Sequence, residues 1–183
     1  MVAVLMLGAT VGEIAEPSAI THVSPIRLEV DKSDRVLKVY HGGQLWKSYR
    51  VAVGEPAHPT PSGDFEIDRI IWNPAWVPPD SKWAEGAKRQ EPGDPENPMQ
   101  GAKLFFKYPA YYIHGTNAPH TLGSAASHGC VRMDPQEVEE LAEFVQDHGG
   151  EPRSAEWFET VKDQDRQSKE VTLSEPVPVT IRE

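Results

Sequence analysis

Cysteine is nearly absent from this 183-residue chain, and its single cysteine, Cys130, excludes an intramolecular disulfide. Positive charge is also scarce, since 18 Lys and Arg stand against 28 Asp and Glu, for a formal net charge of -10. Nucleic-acid and anionic-lipid partners require clustered basic residues, so neither is expected. The apolar run at residues 1–11 is too short to cross a bilayer, which takes about 20 residues.

That N-terminal run resembles the core of a secretory signal, although the basic residues that normally precede such a core are absent. A clipped start or a short hydrophobic strand would also explain it. Residues 13–24 are polar and contain Pro17, which is typical of a linker. We therefore predict a signal or linker segment over residues 1–23, export of the protein, and one domain over residues 24–183.

Alternating apolar residues predict that this domain is mainly β. Ile26, Leu28 and Val30 alternate with polar residues, which is typical of a half-buried strand. Further strands are predicted at residues 35–40, 44–53, 64–71, 104–106 and 111–113. Gly42 and Gly43 tolerate positive φ, so a tight hairpin turn is expected between the second and third strands. The first three strands should then form an antiparallel meander.

A few helices are expected, of which one is well marked and follows the cysteine. Asp134 is a good N-cap residue, and Pro135 suits the first helical position. An apolar stripe facing the core is formed by Val138, Leu141, Ala142 and Val145. A second short helix is predicted over residues 154–161. Residues 171–181 predict an edge strand, because the prolines within them cannot donate to a strand ladder.

Residues 72–101 form the longest irregular segment and contain six prolines. A loop of this length in a compact domain is usually functional or disordered, and aromatic residues are scarce in disordered segments. We hypothesise a lid packed by Trp72, Trp76 and Trp83. The alternative is a structural flap that closes one end of the β fold.

The residues that carry chemistry lie in the segment IHGTNAPHTLGSAASHGCVRM, at positions 113–133. A predicted strand ends at His114-Gly115, and Ser127-His128-Gly129-Cys130-Val131-Arg132 precedes the predicted helix. A thiolate is a strong nucleophile, and a neighbouring imidazole can take the thiol proton. Taken alone, a single cysteine is more often a small buried apolar residue.

The two motifs resemble those of the L,D-transpeptidase (YkuD) family of bacterial cell-wall enzymes. The order, spacing and identity of His-Gly and Ser-His-Gly-Cys-Val-Arg all agree with the family pattern, and the resemblance covers about residues 24–182. It implies an L,D-transpeptidase-type β-sandwich with one core-packed helix after the catalytic cysteine, and it places the hypothesised lid beside the active-site groove. It also implies a periplasmic or cell-envelope location, and it implies no cofactor or metal.

Site roles follow from this resemblance and from the chemistry. Cys130 is expected to attack an amide carbonyl, with His114 as acid–base group and the carbonyl of Gly115 orienting its ring. Backbone N–H groups around Gly129 and Cys130 are the expected oxyanion donors. Ser127 and His128 would support this turn or line the pocket. Arg132 would hold a substrate carboxylate or serve as a structural ion-pair partner.

The resemblance further implies peptidoglycan stem peptides as partners and a monomeric enzyme. The donor would be a tetrapeptide stem that loses its terminal D-Ala. The acceptor would be an amine on another stem (a 3→3 cross-link), on a lipoprotein lysine or on a free D-amino acid. Water as acceptor would make the protein an L,D-carboxypeptidase instead.

Two other classes of protein remain open at this stage. One is a zinc site drawn from His114, His120, His128 and Cys130, although these residues lack the paired spacing of common zinc motifs. The other is a noncatalytic wall-binding relative that keeps the fold. His58, in a proline-rich loop, is expected to be a surface residue and not a ligand. A papain-like protease is disfavoured, because its cysteine precedes its histidine in the chain.

Overall fold

The computed structural model describes residues 25–183, which form ten strands and two α-helices. The strands are β1 (Ile26–Asp31), β2 (Val36–His41), β3 (Gln44–Arg50), β4 (Val53–Gly54), β5 (Gly63–Trp72), β6 (Gln100–Lys107), β7 (Tyr111–Gly115), β8 (Ala125–Ser127), β9 (Val131–Met133) and β10 (Lys169–Arg182). The helices are α1 (Pro135–His148) and α2 (Ala155–Asp163). Short 3-10 turns lie at Lys82–Ala84 and Pro119–Thr121. The predicted mainly β, sandwich-like class is confirmed.

Eight strands form one sheet in the order β3-β2-β1-β10-β5-β6-β7-β9, and β4 pairs with β8 in a small second sheet. The predicted meander β1-β2-β3 is confirmed as antiparallel. Gly42 and Gly43 make its hairpin turn at φ values of 56° and 82°, a conformation that favours glycine. Side chains from β1, β5, β10 and α1 meet in one buried apolar cluster.

The prediction of an edge strand at residues 171–181 is wrong. β10 lies in the middle of the large sheet, where it pairs in parallel with β1 and antiparallel with β5. Its prolines lie where pairing with at least one neighbouring strand is missing, although Pro178 does pair with Glu66 of β5. Pro176 falls within a register shift between Thr172 and Val177, and Pro178 comes just before the first residue that pairs with β1, Val179.

Helix α1 begins and packs as its sequence predicts. The side chain of Asp134 accepts hydrogen bonds from the backbone N–H groups of Gln136 and Glu137, and Pro135 occupies the first turn. All four residues of the predicted apolar stripe are fully buried. The second helix is also confirmed, with Ser154 as its N-cap. Within residues 25–183, neither helix has the length and hydrophobicity needed to cross a bilayer.

The long loop, defined from here on as residues 73–99, is held by its own hydrogen bonds. Trp76 and Gln90 form an isolated β-bridge, and the buried Asn97 donates to the carbonyls of Pro74 and Glu91. The lid hypothesis was wrong about Trp72, which is fully buried in the core and donates to the Gln146 side chain at 2.9 Å. The predicted segment at residues 1–23 lies outside the described residues.

Candidate active site

The register of three adjacent strands brings the site together. His114 on β7 lies directly beside Arg132 on β9 and beside Lys103 on β6. Residues paired across neighbouring strands point to the same face of a sheet. The opposite face carries Leu104, Ile113 and Val131, which are completely buried in the core. A row of three basic side chains, Lys103, His114 and Arg132, therefore lines one face of the sheet.

Cys130 lies immediately before β9, two residues from Arg132, and it shares the groove with this row. Its thiol lies 3.5 Å from the carbonyl oxygen of Ala110, a weak S–H hydrogen bond that tethers the sulfur to the start of β7. The residue is partly exposed, so the thiol is not sealed away from solvent.

The groove has a volume of about 460 Å³ and is mostly apolar. Its floor comes from β6, β7 and the motif, and its rim comes from the long loop, which contributes Trp76, Val77 and Trp83. Tyr111, Tyr112 and Met99 complete the side walls. Most of the long loop's lining residues are large and apolar, so the loop shields Cys130 and His114 from bulk water. Trp76 and Trp83 therefore occupy the lid position that the sequence predicts, whereas Trp72 does not.

The ring of His114 is held by its own strand. Only 4% of this residue is exposed, and Nδ1 donates to the carbonyl oxygen of Gly115 at 2.8 Å. Because a carbonyl can only accept, the proton sits on Nδ1 and the Nε2 lone pair is left to act as a base. A side chain at Gly115 would not fit, since its Cβ would lie 2.2 Å from the carbonyl oxygen of Gln100.

The thiol and the imidazole are both driven towards their neutral forms. Burial lowers the pKa of His114 to about 4, and the nearby charges of Arg132 and Lys103 act in the same direction. Burial raises the pKa of Cys130 to about 11, although the same two cations oppose that rise. Both shifts favour a neutral thiol and a neutral imidazole over a thiolate and an imidazolium at neutral pH.

The motif turn, Ser127–Cys130, is fastened by Ser127. The buried Ser127 hydroxyl donates to the backbone carbonyl of Cys130 at 2.5 Å and accepts from the backbone N–H of Gly129 at 3.2 Å. Gly129 has φ of 108°, which side chains rarely adopt, and a Cβ there would press on the ring of Tyr111 at 2.9 Å. The turn is therefore restricted to one conformation, in which the Gly129 N–H points at the Ser127 hydroxyl.

Arg132 is positioned by backbone contacts. Its main chain exchanges hydrogen bonds with Ala52, and its guanidinium donates to the Ala126 carbonyl at 3.2 Å. Among residues 25–183, no carboxylate lies within ion-pair distance of the Arg132 guanidinium, although the more distant charge of Glu55 acts to raise its pKa. Lys103 was missed from the sequence. The feature that could have indicated Lys103 is its position on the polar face of an otherwise apolar strand, which pairs with the strand of His114.

His128 lies at the rim, apart from the thiol–imidazole pair. Its exposed ring stacks on Trp83 with centroids 4.0 Å apart and planes inclined by 4°. The zinc alternative built on His114, His120, His128 and Cys130 is not assembled. In the described part of the chain, the ligand atoms that converge on His128 belong instead to Glu55 and His58. His58 is exposed, as predicted.

Comparison with known proteins gives a consistent result. The model of the L,D-transpeptidase catalytic domain (YkuD) matches residues 25–179. The chain is 34% identical over 121 residues to "Putative L,D-transpeptidase YkuD" of Bacillus licheniformis, covering 66% of this chain and 61% of that protein. It is 26% identical over 152 residues to "Probable L,D-transpeptidase ErfK/SrfK" of Escherichia coli, covering 73% of this chain and 49% of that protein. The chain thus spans only part of the length of these relatives.

Solved structures share the fold. The catalytic domain of the E. faecium L,D-transpeptidase superposes with a TM-score of 0.55 at 17% identity, covering 88% of this chain and 99% of that chain. L,D-transpeptidase 3 of Mycobacterium tuberculosis, in complex with a faropenem-derived adduct, gives a TM-score of 0.52 at 15% identity, covering 87% of this chain and 60% of that chain. Because the family model spans most of its length, the chain belongs to the YkuD family of L,D-transpeptidase catalytic domains.

Proposed function

We propose that this chain is a peptidoglycan L,D-transpeptidase of the cell envelope, in which Cys130 is the nucleophile and His114 the general base. The strongest support is that both residues line the floor of one groove, with the free Nε2 of His114 fixed by the Nδ1 bond to Gly115. Residues 24–183 form its catalytic domain. A wall-binding relative without catalysis has no need for a thiol that is open to this groove.

Acylation begins from the neutral pair. As the sulfur of Cys130 attacks the amide carbonyl of a tetrapeptide stem, its proton moves to Nε2 of His114. The new C–S bond replaces the C–N bond to the terminal D-Ala, whose amine leaves with the proton from His114. The product is a thioester on Cys130 and free D-Ala. Because both groups rest neutral, proton transfer accompanies the attack instead of preceding it.

Deacylation runs the same steps with a new nucleophile. The amine of an acceptor gives its proton to His114 and forms an amide with the acyl group, which releases the thiol. A second stem, a lipoprotein lysine or a free D-amino acid can supply that amine, and water gives hydrolysis instead. The mostly apolar rim of the groove limits the entry of water, so we favour transfer to an amine over hydrolysis.

The oxyanion of the tetrahedral intermediate needs backbone donors near the sulfur. The N–H of Gly129 is bonded to Ser127 in the free protein, so we assign the first donor to the N–H of Cys130. The Gly129 N–H can join only when it leaves the Ser127 hydroxyl. Ser127 is thus a positioning residue for the turn.

The two cations beside His114 suit a substrate that carries carboxylates. Arg132 and Lys103 flank the base on the same sheet face, in a protein whose net charge is negative. A planar guanidinium can bind a carboxylate by two hydrogen bonds, whereas an ammonium acts as a point charge. We assign Arg132 to a carboxylate of the donor stem and Lys103 to a second carboxylate or to the developing negative charge.

The test is digestion of purified tetrapeptide stems, followed by mass analysis of products. The expected products are free D-Ala, together with a dimer of stems or an adduct with an added D-amino acid. Cys130→Ser and Cys130→Ala should abolish both. Release of D-Ala and tripeptide without any amine product would identify an L,D-carboxypeptidase.

A second measurement separates a dead enzyme from a wall-binding protein. A carbapenem should add its mass to the wild-type protein and not to Cys130→Ser. An adduct that survives the substitution contradicts the assignment of the nucleophile. A protein that binds sacculi but is neither acylated by the carbapenem nor alkylated at Cys130 would be a noncatalytic relative.

A further inference from the structure

Three ligand-type side chains converge beside the groove, outside the thiol–imidazole pair. Oε1 of Glu55 lies 2.9 Å from Nδ1 of His58 and 3.8 Å from Nε2 of His128. All three atoms lie within 4.8 Å of one another. The two imidazole rings meet edge to face, with centroids 5.0 Å apart. None of these side chains is needed for the acyl-transfer steps.

We propose that Glu55, His58 and His128 form a binding site for a divalent transition-metal ion of the Zn²⁺ type. Two imidazoles and one carboxylate are a ligand set that suits zinc and leaves a fourth position for water. Ligand atoms around tetrahedral zinc are separated by about 3.3 Å, since each lies about 2.0 to 2.1 Å from the metal. Two of the three observed separations, 2.9 and 3.8 Å, lie on either side of that value, and the third does not exceed 4.8 Å, so a small side-chain movement would bring the three atoms to tetrahedral spacing.

The backbone under these residues is already fixed. The N–H of Glu55 donates to the carbonyl of Ser127 at 2.9 Å, which joins the Glu55 loop to the motif turn. The N–H of His58 donates to the carbonyl of Glu55 at 2.9 Å, so the two residues share one tight turn. Thr60 closes the same loop by accepting from the N–H of Gly54. The ligands therefore need little ordering when an ion binds.

A bound ion would connect three parts of the molecule. It would join the Glu55 loop to His128, which is two residues from Cys130 in the motif turn. The ring of His128 also stacks on Trp83 of the long loop. Metal occupancy would thus hold the loop rim against the motif turn and narrow the motion of the groove entrance. The site rests on ligand geometry and does not depend on the proposed acyl transfer.

The experiment is calorimetric titration of Zn²⁺ into the full chain, purified without a histidine tag, in the Cys130→Ser background to remove the thiol. We expect one equivalent to bind. His58→Ala and Glu55→Gln should each weaken binding by roughly 10- to 100-fold or more, since loss of even outer-shell partners has effects of that size. His120→Ala removes an exposed histidine outside the cluster and should leave the affinity unchanged. Thermal melts of each variant without zinc confirm that the fold is intact.

Two readouts decide the identity of the ligands and the link to the loop. Zinc X-ray absorption on the wild type should show only nitrogen and oxygen neighbours at about 2.0 to 2.1 Å, whereas a sulfur at about 2.3 Å would move the ion to Cys130 and overturn the proposal. Zinc should change the tryptophan fluorescence of the wild type but not that of Trp83→Phe. The proposal would also be overturned by weak zinc binding that does not saturate at one equivalent, or by zinc binding that His58→Ala and Glu55→Gln leave unchanged.

Discussion

The Gly115 carbonyl determines which nitrogen of His114 carries a proton, a task that an acid side chain performs in many other catalytic histidines. This partner is neutral and part of the same strand, and its hydrogen bond acts to raise the pKa of His114, but burial outweighs that effect. Burial then keeps the imidazole uncharged well below neutral pH. In the proposed mechanism, His114 is therefore available as a base over a wide pH range, and activation of the thiol depends on proton transfer during the attack.

Lys103 is predicted to tune the thiol. Its charge lowers the pKa of Cys130, so Lys103→Met should raise that pKa further. A higher pKa means less thiolate at any given pH, and alkylation by iodoacetamide between pH 7 and pH 9 should slow several-fold. The measurement is the alkylation rate against pH, followed by mass spectrometry.

The matched control for that prediction is Lys107→Met, which removes the same charge from the same strand. Lys107 does not contribute to the pKa shift of Cys130, so its replacement should leave the alkylation rate unchanged. Equal effects of both substitutions would mean that net charge, and not the neighbour of His114, controls the thiol.

Ser127→Ala is predicted to loosen the motif turn. The substitution leaves the Cys130 carbonyl and the Gly129 N–H without their buried partner, which costs about 1 to 3 kcal/mol. We expect a lower melting temperature and a roughly tenfold slower acylation by a carbapenem, because about 1.4 kcal/mol corresponds to tenfold in rate. Ser124→Ala removes an exposed hydroxyl nearby and should change neither. Normal acylation by Ser127→Ala would remove Ser127 from the positioning role.

The residues of the site were predictable to different degrees. Cys130, His114 and the motif turn were found from their order and spacing, because the chemistry demands particular residue types there. Lys103 was not found, since it joins the site only through strand pairing with β7. The Glu55–His58–His128 cluster was missed for the same reason: its members lie in two loops that are distant in sequence and meet only in the folded chain.

At the scale of elements, the start of the long loop depends on one side chain. Asn73 adopts φ of 48°, and its amide donates to the Val161 carbonyl at 2.6 Å, next to the end of α2. Two longer contacts reach the carbonyls of Gln164 and Gln167. Asparagine is one of the few side chains that tolerate this backbone conformation. This residue therefore fixes where the loop leaves the core.

Asn73→Ala is predicted to destabilise the protein by about 1 to 3 kcal/mol, because it removes buried hydrogen bonds and disfavours the positive φ. For a chain of this size each kcal/mol lowers the melting temperature by about 2 to 4 °C. Asn73→Gly keeps the backbone conformation but also loses the amide, so it separates the two causes. Melting temperatures equal to wild type for both variants would show that the loop is held elsewhere.

Local sequence patterns predicted most of the strands and helices, but they did not predict which strands pair with each other. The strand at residues 171–181 was identified from its alternation, yet its central position depends on pairing with β1, which lies far away in sequence. The prolines predicted an edge strand. In the structure, Pro176 falls within a register shift, and Pro178 lies just before the pairing with β1 begins. Trp72 was assigned to a lid from its proximity to the loop, whereas burial against α1 and α2 gives it a place in the core.

At the scale of the whole molecule, one apolar cluster draws side chains from the first strand to the last. The meander β1-β2-β3 and the site-bearing half of the sheet, β5-β6-β7-β9, lie on opposite sides of β10. Neither half can therefore lose its packing alone. We predict one cooperative urea transition, with the same midpoint by far-ultraviolet circular dichroism and by tryptophan fluorescence.

The tryptophans suit this measurement because they report on different regions. Trp72 is buried in the core. Trp46 lies on β3, and its ring stacks on that of Phe144 in α1 with the ring centroids 3.9 Å apart. A Trp46→Phe variant removes the meander signal and should keep the midpoint. Two separated transitions would show that the meander unfolds independently of the site-bearing half of the sheet.

The central position of β10 has a consequence for how the protein is made. A ribosome adds about 5 to 20 residues per second, and it releases β10 after all of the other described strands of the sheet. Until then, β1 and β5 each present an unpaired edge, with backbone groups that can bind another chain. Until β10 pairs, the nascent chain therefore carries two open sheet edges at the place where the core is later closed.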